Sequence, residues 1–542
     1  MPQPDCNIVR HFFRAAQAYP DRIAISGQQG SVTFKVLSRR VAATAAGLQT
    51  QGIRPGDRVL VFIPTGIDLY QTLLAIFHCG AVAVFVEQWA HRRQLSQCLA
   101  IANCRAVVST RKLLLLGSLL SKPIRAIPLK INIRSVASGW PTVKNQPGFG
   151  FPKDTVLPAS EMVCQRHSDD GAMVTFTSGS TGTPKAANRT HGFLQAQLNA
   201  LIPCIYEKEI SLENLQTTEQ ERDMTLLPIV LLINLAIGRT SVLADFNPRK
   251  PQTFRAPSVI GQIKKQQVSS LTASPYYIEQ IAKHADESLT KQVKRIFCGG
   301  AAIVPVAAAR MRKALPETEF HFIYGSTEAE PIAHITACEL LYAHPDLLLE
   351  KGLCVGLPDD NIEVAIVSLT GNLPNEPSPA DFDKAKCQAG GVGEICVRGR
   401  HVLQQYLNHA QVARENKYQT GNGMVWHRTG DAGYLDGNGF LYLAGRCKEI
   451  VRWQENDYFP VTFENNLQHW LPGAQGTLLS VDSQPVIVIA TAEPENADAL
   501  KDRLPAAWKI TFIKELPKDK RHFSRIDYGK LRSKIRKKQS GF

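Results

Sequence analysis

Apolar positions recur at helical spacing over Asn7–Ala18 and again over Val36–Gln51, while Arg22–Ile25 and Ser31–Phe34 between them have the short, period-two character of strands. Pro20-Asp21 closes the first helix. The turn chemistry of Gly52-Ile53-Arg54-Pro55-Gly56-Asp57 leads into an apolar run, Arg58 to Ile63. A helix over Asp68–His78, stopped at Gly80, and a buried strand over Ala81–Val86 follow. Helices alternating with nearly continuous apolar strands predict a parallel sheet covered on both faces. The alternation resumes from Gly171 to about residue 335. Residues 371–391 are polar, Pro-rich and Gly-ended, which predicts a surface loop. Past them, Gly393–Gly399 and Gly439–Ala444 predict short antiparallel strands joined by Gly/Asp/Asn turns. The last hundred or so residues have their own strand-helix pattern and their own charge. This places a domain boundary near Gly445-Arg446, with residues 1–445 in one domain and 446–542 in a second; no internal repeat is visible.

Composition narrows the class. The 542 residues leave room for three or four units of roughly 150 residues, or fewer large ones. With 44% hydrophobic and 20% charged residues, disorder, collagen and coiled coil are excluded as whole-chain descriptions. No run approaches the ~18 apolar residues of a membrane span. The greasiest, Leu226 to Gly238, is shorter and contains Asn234. The start, Met1-Pro2-Gln3-Pro4-Asp5, lacks the basic-then-apolar order of a secretory signal. Twelve cysteines without a Cys-x-x-Cys pair read as buried, reduced thiols, so a soluble cytoplasmic protein is expected. The net charge is +14, and residues 514–538 alone hold eleven Lys/Arg against three acids. That tail suits an anionic partner or a solvated helix face. It has few interleaved aromatics and no recognisable nucleic-acid module, so nucleic acid is not expected.

The sharpest chemistry is Thr175-Phe176-Thr177-Ser178-Gly179-Ser180-Thr181-Gly182-Thr183-Pro184-Lys185, directly after the apolar Ala172-Met173-Val174. Glycines let the backbone turn its N–H groups toward an anion, and hydroxyls and a lysine add donors. The segment reads as a phosphate cradle. It is not the common NTPase loop, because Lys185 follows proline and precedes alanine.

Four further motifs follow in order: Gly299-Gly300-Ala301-Ala302; Tyr324-Gly325-Ser326-Thr327-Glu328; Gly393-Glu394-Ile395 with His427-Arg428-Thr429-Gly430-Asp431; and Gly445-Arg446. With the loop before them, they make the chain resemble the adenylate-forming (AMP-binding) superfamily from about Ala15 to Asp527. That superfamily includes acyl-CoA synthetases, fatty-acyl-AMP ligases and luciferases. The resemblance implies an α/β fold. A large N-terminal domain of two mixed or parallel sheets with helices and a small β-barrel-like subdomain would precede a small, mobile α+β C-terminal lid. It also implies a reaction: a carboxylate attacks the α-phosphate of ATP, pyrophosphate leaves, and the acyl adenylate passes to CoA or a carrier protein.

The same resemblance assigns roles. Thr177, Ser178, Gly179, Ser180, Thr181, Gly182 and Lys185 would hold the triphosphate. Gly300 and Ala301 would lie beside the nucleotide, and Tyr324 would stack on adenine. Thr327 would bond the α-phosphate, and Glu328 would help hold Mg²⁺, a hard cation that prefers oxygen ligands. Asp431 would accept from the ribose hydroxyls, supported by Arg446. Taken alone, Asp431 is a turn aspartate and Glu328 an acid at a helix N-terminus.

Leu227-Pro228 through Gly238, Val242 and Asp245 to Pro248 resemble the fatty-acyl ligase subgroup that contains the olefin-pathway β-lactone synthetases; so do Tyr324 to Pro331 and Lys520-Arg521-His522-Phe523-Ser524-Arg525-Ile526. For that subgroup the acid is a fatty or β-hydroxy fatty acid, and lactone closure is an alternative second step. The aliphatic run after Pro228 suits an alkyl chain or plain core packing equally. Two departures stand out. Arg525 occupies the place of the family's catalytic lysine, and a planar guanidinium is not equivalent to an ammonium there. Either Arg525 acts, or Lys518, Lys520 or Lys530 substitutes, or the chain binds nucleotide without turnover. Lys448 and Trp453-Gln454-Glu455-Asn456-Asp457 depart from the hinge and glycine-rich turn of CoA ligases, which weakens CoA as acceptor.

Overall fold

The computed structural model describes residues 5–28, 30–86, 92–133, 162–178, 184–206, 210–215, 221–246, 253–371, 373–407, 410–421, 424–490, 500, 503, 505, 507–519 and 525–539. The chain forms two compact units, residues 1–272 with 400–413, and residues 273–399 with 414–542.

The first unit holds two sheets. One is ordered Leu129–Asn132, Ala106–Ser109, Arg58–Phe62, Val82–Phe85, Gly171–Ser178, Pro184–Thr190, parallel except for the last pair. The other runs Ser270–Ala273, Arg222–Thr225, Thr240–Leu243, Ile23–Gly27, Gly30–Thr33. The expected helices form over Val9–Ala18, Phe34–Thr50 and Ile67–His78. Thr33 caps the second, its hydroxyl accepting from the Val36 N–H at 3.3 Å. Pro228 opens the helix Pro228–Ile237, and Gly238 ends it at φ +82°, a left-handed conformation that suits glycine. That helix is seated in the core, with Leu231, Ile233, Leu235 and Ile237 fully buried. Of the two readings of this run, packing describes these four side chains. Its Asn234 is buried too and donates to Asp223 at 3.1 Å and Ser241 at 3.0 Å.

His191 shows what burial of a titratable group does here. It is fully buried, its Nδ1 accepts from the Ile8 N–H at 3.2 Å, and burial, then the Arg166 charge, push its pKa down to about 4. The folded value lies below the unfolded one, so stability is full above about pH 6.5 and is lost as pH falls toward 4. That single group should cost about 2–4 kcal/mol across the window, at about 1.4 kcal/mol per pKa unit. Denaturant melts at pH 7.5, 6 and 5 should show a steeper decline for the parent than for His191→Asn. Parallel declines would remove His191 as the cause.

In the second unit one run of strands is ordered Ile362–Ser368, Gly393–Gly399, Met424–Leu435, Leu441–Arg446, Leu353–Pro358, Ala329–Thr336, Glu319–Ser326, Arg295–Gly299, with Lys417–Thr420 paired to Met424–Leu435. All neighbours in it are antiparallel except the last two, which are parallel. Residues 371–391 are not wholly loop. Ser378 accepts from the Asp381 N–H and starts a short helix, Pro379–Lys384, with proline in the first turn. Residues 446–542 contribute a hairpin, Val451–Trp453 with Asn456–Tyr458, and a sheet, Gln475–Val481, Gln484–Ala490, Lys509–Ile513. Helices Pro460–Trp470 and Tyr528–Gln539 pack on that sheet, bringing Phe463, Leu467, Leu531 and Ile535 into its two cores. The basic tail therefore has one apolar stripe. Its charges are partly spent locally: Arg532 on Glu449 at 2.7 Å and Arg536 on Asp482 at 2.8 Å.

Candidate active site

Two strands flank the glycine-rich segment. Strand Gly171–Ser178 runs parallel to Val82–Phe85, with Phe85 opposite Thr175, so Phe176 to Ser178 extend past the carboxyl end of the shorter strand. The chain then returns antiparallel as Pro184–Thr190, with Thr177 opposite Lys185 and Ser178 opposite Pro184. Gly179, Ser180, Thr181, Gly182 and the side chains of Thr177 and Ser178 lie outside the described residues.

The second unit brings five of the other assigned residues onto one sheet end. Parallel pairing sets Gly299 opposite Ile323, so Gly300, Ala301 and Tyr324 leave adjacent strands at the same carboxyl edge. Gly300 has φ +93°, a backbone turn that favours glycine. Tyr324 donates its hydroxyl to Asp431 Oδ2 at 2.9 Å, and Arg446 Nε meets Asp431 Oδ1 at 3.1 Å. Asp431 and Arg446 are direct cross-strand partners. Asp431 is thus no turn residue: it lies inside the long strand Met424–Leu435. Burial first, then the Asp431 carboxylate, raise the Tyr324 pKa, so the phenol keeps its proton and acts as donor. Asp431 in turn holds the Arg446 guanidinium charged. A carboxylate has about four acceptor positions, so one tyrosine and one arginine leave room for two hydroxyls.

Sequence inspection left Thr429 without a role, although it lies in the quoted motif. Its hydroxyl accepts from the Asp431 N–H at 3.0 Å and donates to Ile395 O at 2.8 Å, while Thr429 O accepts from Arg446 Nη1 at 3.0 Å. Beside it Arg428 forks onto Glu394 Oε2 at 2.9 and 2.7 Å, tying the strand to its neighbour Gly393–Gly399. Thr327 and Glu328 do not start a helix. They form the turn between Glu319–Ser326 and Ala329–Thr336, with the Glu328 N–H donating to Ser326 Oγ at 3.3 Å. The turn is tight: a Cβ on Gly325 would meet Ala329 O at 2.9 Å.

Arg525 comes to the same place. Its Nε donates to the Gly300 carbonyl at 2.7 Å. Lys530 instead pairs with Asp527 at 2.6 Å, and the Lys518 charge favours the ionised form of Glu464. Lys520 and Arg521 to Ser524 are outside the described residues. Among the described residues no group of three or more His, Cys, Asp or Glu could hold a metal.

An α/β fold whose second unit joins Tyr324, Asp431 and Arg446 in one cluster offers the ring, acceptors and cation that a nucleotide-using enzyme needs. The model of the AMP-binding enzyme family matches residues 12–407, and the chain belongs to that family. It is an AMP-forming acid ligase of the adenylate-forming superfamily. An olefin β-lactone synthetase of Stenotrophomonas maltophilia is 30% identical, covering 82% of this chain and 80% of that one. A 2-succinylbenzoate–CoA ligase of Bacillus licheniformis is 23% identical, covering 93% and 95%. Among solved structures, an amide bond synthetase from Marinactinospora thermotolerans superposes with a TM-score of 0.75 at 20% identity, covering 97% of this chain and 99% of that one. This last likeness concerns the fold. No helix among the described residues is long and apolar enough to cross a membrane.

Proposed function

We propose that the chain activates a fatty acid, in particular a β-hydroxy fatty acid, as its acyl adenylate. The acid is suggested by the similarity to an olefin β-lactone synthetase, and the adenylation step is supported by Arg525, whose Nε meets the Gly300 carbonyl on the strand edge next to that of Tyr324. Adenylation joins a carboxylate oxygen to the α-phosphorus and breaks the bond to pyrophosphate, concentrating negative charge on the α-phosphate oxygens. Such chemistry needs positioning and cations more than covalent help. Residues 177–185 take the triphosphate, Asp431 the ribose hydroxyls, Tyr324 the adenine and Thr327 the α-phosphate.

Mg²⁺ fits the donor set offered. It typically binds one or two carboxylates together with substrate phosphates, and Glu328 supplies a carboxylate on a tight turn. When bound, it would neutralise charge on the phosphates.

The similarity to a β-lactone synthetase favours closure as the second step: the β-hydroxyl oxygen attacks the acyl carbon, AMP leaves, and the hydroxyl proton is released. The similarity to a CoA ligase keeps transfer to CoA or an acidic carrier protein as a second reading. Mass spectrometry of products from ATP, Mg²⁺ and mixed fatty and β-hydroxy fatty acids, with and without CoA, separates them. AMP with a lactone supports the first and a thioester the second. No AMP with any acid would overturn both and leave a nucleotide-binding chain without turnover.

We also infer that residues 446–542 act as a lid, since Val451, Leu467, Ile487 and Leu531 pack in cores drawn from that segment. Limited proteolysis should separate this piece near residue 446, and cleavage only elsewhere would count against it. The reading places the protein in the cytoplasm.

A further inference from the structure

Arg525 is exposed, on a segment far from its target in sequence, yet it is not held by its own bond alone. Residues 517–519 and 525–527 form a small two-stranded clamp. The Arg525 N–H donates to Asp519 Oδ1 at 2.8 Å, the Asp519 N–H to Arg525 O at 2.8 Å, and the Asp527 N–H to Pro517 O at 2.8 Å. Lys518 bridges Ile526 between them. The second arm of the clamp then runs through Tyr528 to one carboxylate. Glu464, on helix Pro460–Trp470, accepts from the Tyr528 hydroxyl at 2.5 Å and from Thr477 Oγ1 at 2.6 Å. Burial raises its pKa, while these bonds and the nearby Lys518 charge pull it back.

A partly buried carboxylate costs stability unless donors or a cation compensate it. Here the compensating donor from the clamp is Tyr528, at the end of its second arm. Thr477, on strand Gln475–Val481, fixes the carboxylate to the sheet beneath.

We propose that Glu464 is a positioning residue for adenylation, anchoring Tyr528 so that the clamp paired to it holds Arg525 at Gly300. The proposal rests on the reading of Arg525 as the adenylation cation. Glu464 touches no substrate in this scheme. Its effect passes through Arg525 and should vanish when Arg525 is gone.

The test is a double-mutant cycle in ATP–pyrophosphate exchange with the full chain and β-hydroxydecanoic acid. Glu464→Gln, and independently Tyr528→Phe in case the first folds poorly, should each lower kcat about 5- to 20-fold with KM for ATP changed less than about twofold. Added to Arg525→Ala, each should have less than about a twofold further effect. Equal losses in both backgrounds would show that Glu464 supports the fold and not Arg525, and would overturn the proposal. Should Arg525→Ala itself be silent, or the parent inactive, the assignment of Arg525 fails instead. Amide hydrogen exchange then still decides on Glu464. In Glu464→Gln, exchange at Asp519, Arg525 and Asp527 should speed about tenfold or more while Gln484–Ala490 stays protected. Unchanged exchange at those three amides, or equal loosening of the sheet, would overturn it.

Discussion

Asp431→Ala is expected to lower kcat/KM for ATP by about one to two orders of magnitude. Hydrogen bonds to a charged group contribute about 1.5–3 kcal/mol, and the ribose hydroxyls would lose theirs. The structure adds a second loss. Asp431 is the acceptor for the Tyr324 hydroxyl and the ion-pair partner of Arg446, so alanine also releases the Tyr324 ring, proposed to stack on adenine, and strips a cation of its counter-charge. Asp431→Asn discriminates between these parts. It keeps an acceptor for Tyr324 but weakens the pair with Arg446, and should fall between parent and alanine. Steady-state ATP kinetics of folded variants check it. Unchanged kinetics in Asp431→Ala would remove this residue from the nucleotide site.

Much of that arrangement is legible before any coordinates. The alternation of apolar runs with helical periods locates the Ile67–His78 helix and the Val82–Phe85 strand within a residue or two, because Gly66 and Gly80 bound the helix, Gly80 also precedes the strand, and both are filled largely with buried side chains. The motifs of Tyr324 and Asp431 are visible as strings, but their meeting is not. It depends on the register that puts Asp431 opposite Arg446, and on a strand order in which Leu353–Pro358 and Ala329–Thr336 intervene. Local chemistry also misleads. Glu328 after Ser-Thr resembles a capped helix start, yet the tight hairpin at Gly325 keeps the chain extended on both sides. Pro379 looks like loop punctuation, but with Ser378 before it and Asp381 after it becomes a helix opening. Glu464, Thr477 and Tyr528 are the least legible. They come from a helix, a strand and a helix start spread over 65 positions, with no spacing signal joining them.

Arg525→Ala is expected to slow adenylation by about 2–4 kcal/mol, or roughly 30- to 1000-fold, the size of losing one preorganised donor to developing charge. Three lysines were rivals for this role. Lys530 is paired with Asp527 at 2.6 Å, and Lys518 sits in the field of Glu464, whereas Arg525 reaches Gly300 at the edge that carries Tyr324. Position therefore favours Arg525. The chemistry of the substitution gives a second, sharper expectation. Arg525→Lys should match or exceed the parent, because an ammonium can lie between a carboxylate and the α-phosphate without the steric demand of a planar fork. It gives up the Nε bond to Gly300, an exposed contact of modest worth. ATP–pyrophosphate exchange with the best acid of the panel is the assay, run beside Lys518→Ala, Lys520→Ala and Lys530→Ala. If Arg525→Ala exchanges as fast as the parent while one lysine variant collapses, the catalytic cation is that lysine and the contact with Gly300 is only a resting position. If Arg525→Ala and Arg525→Lys are equally slow, the fork geometry itself is required, and a guanidinium is the cation this site is built around.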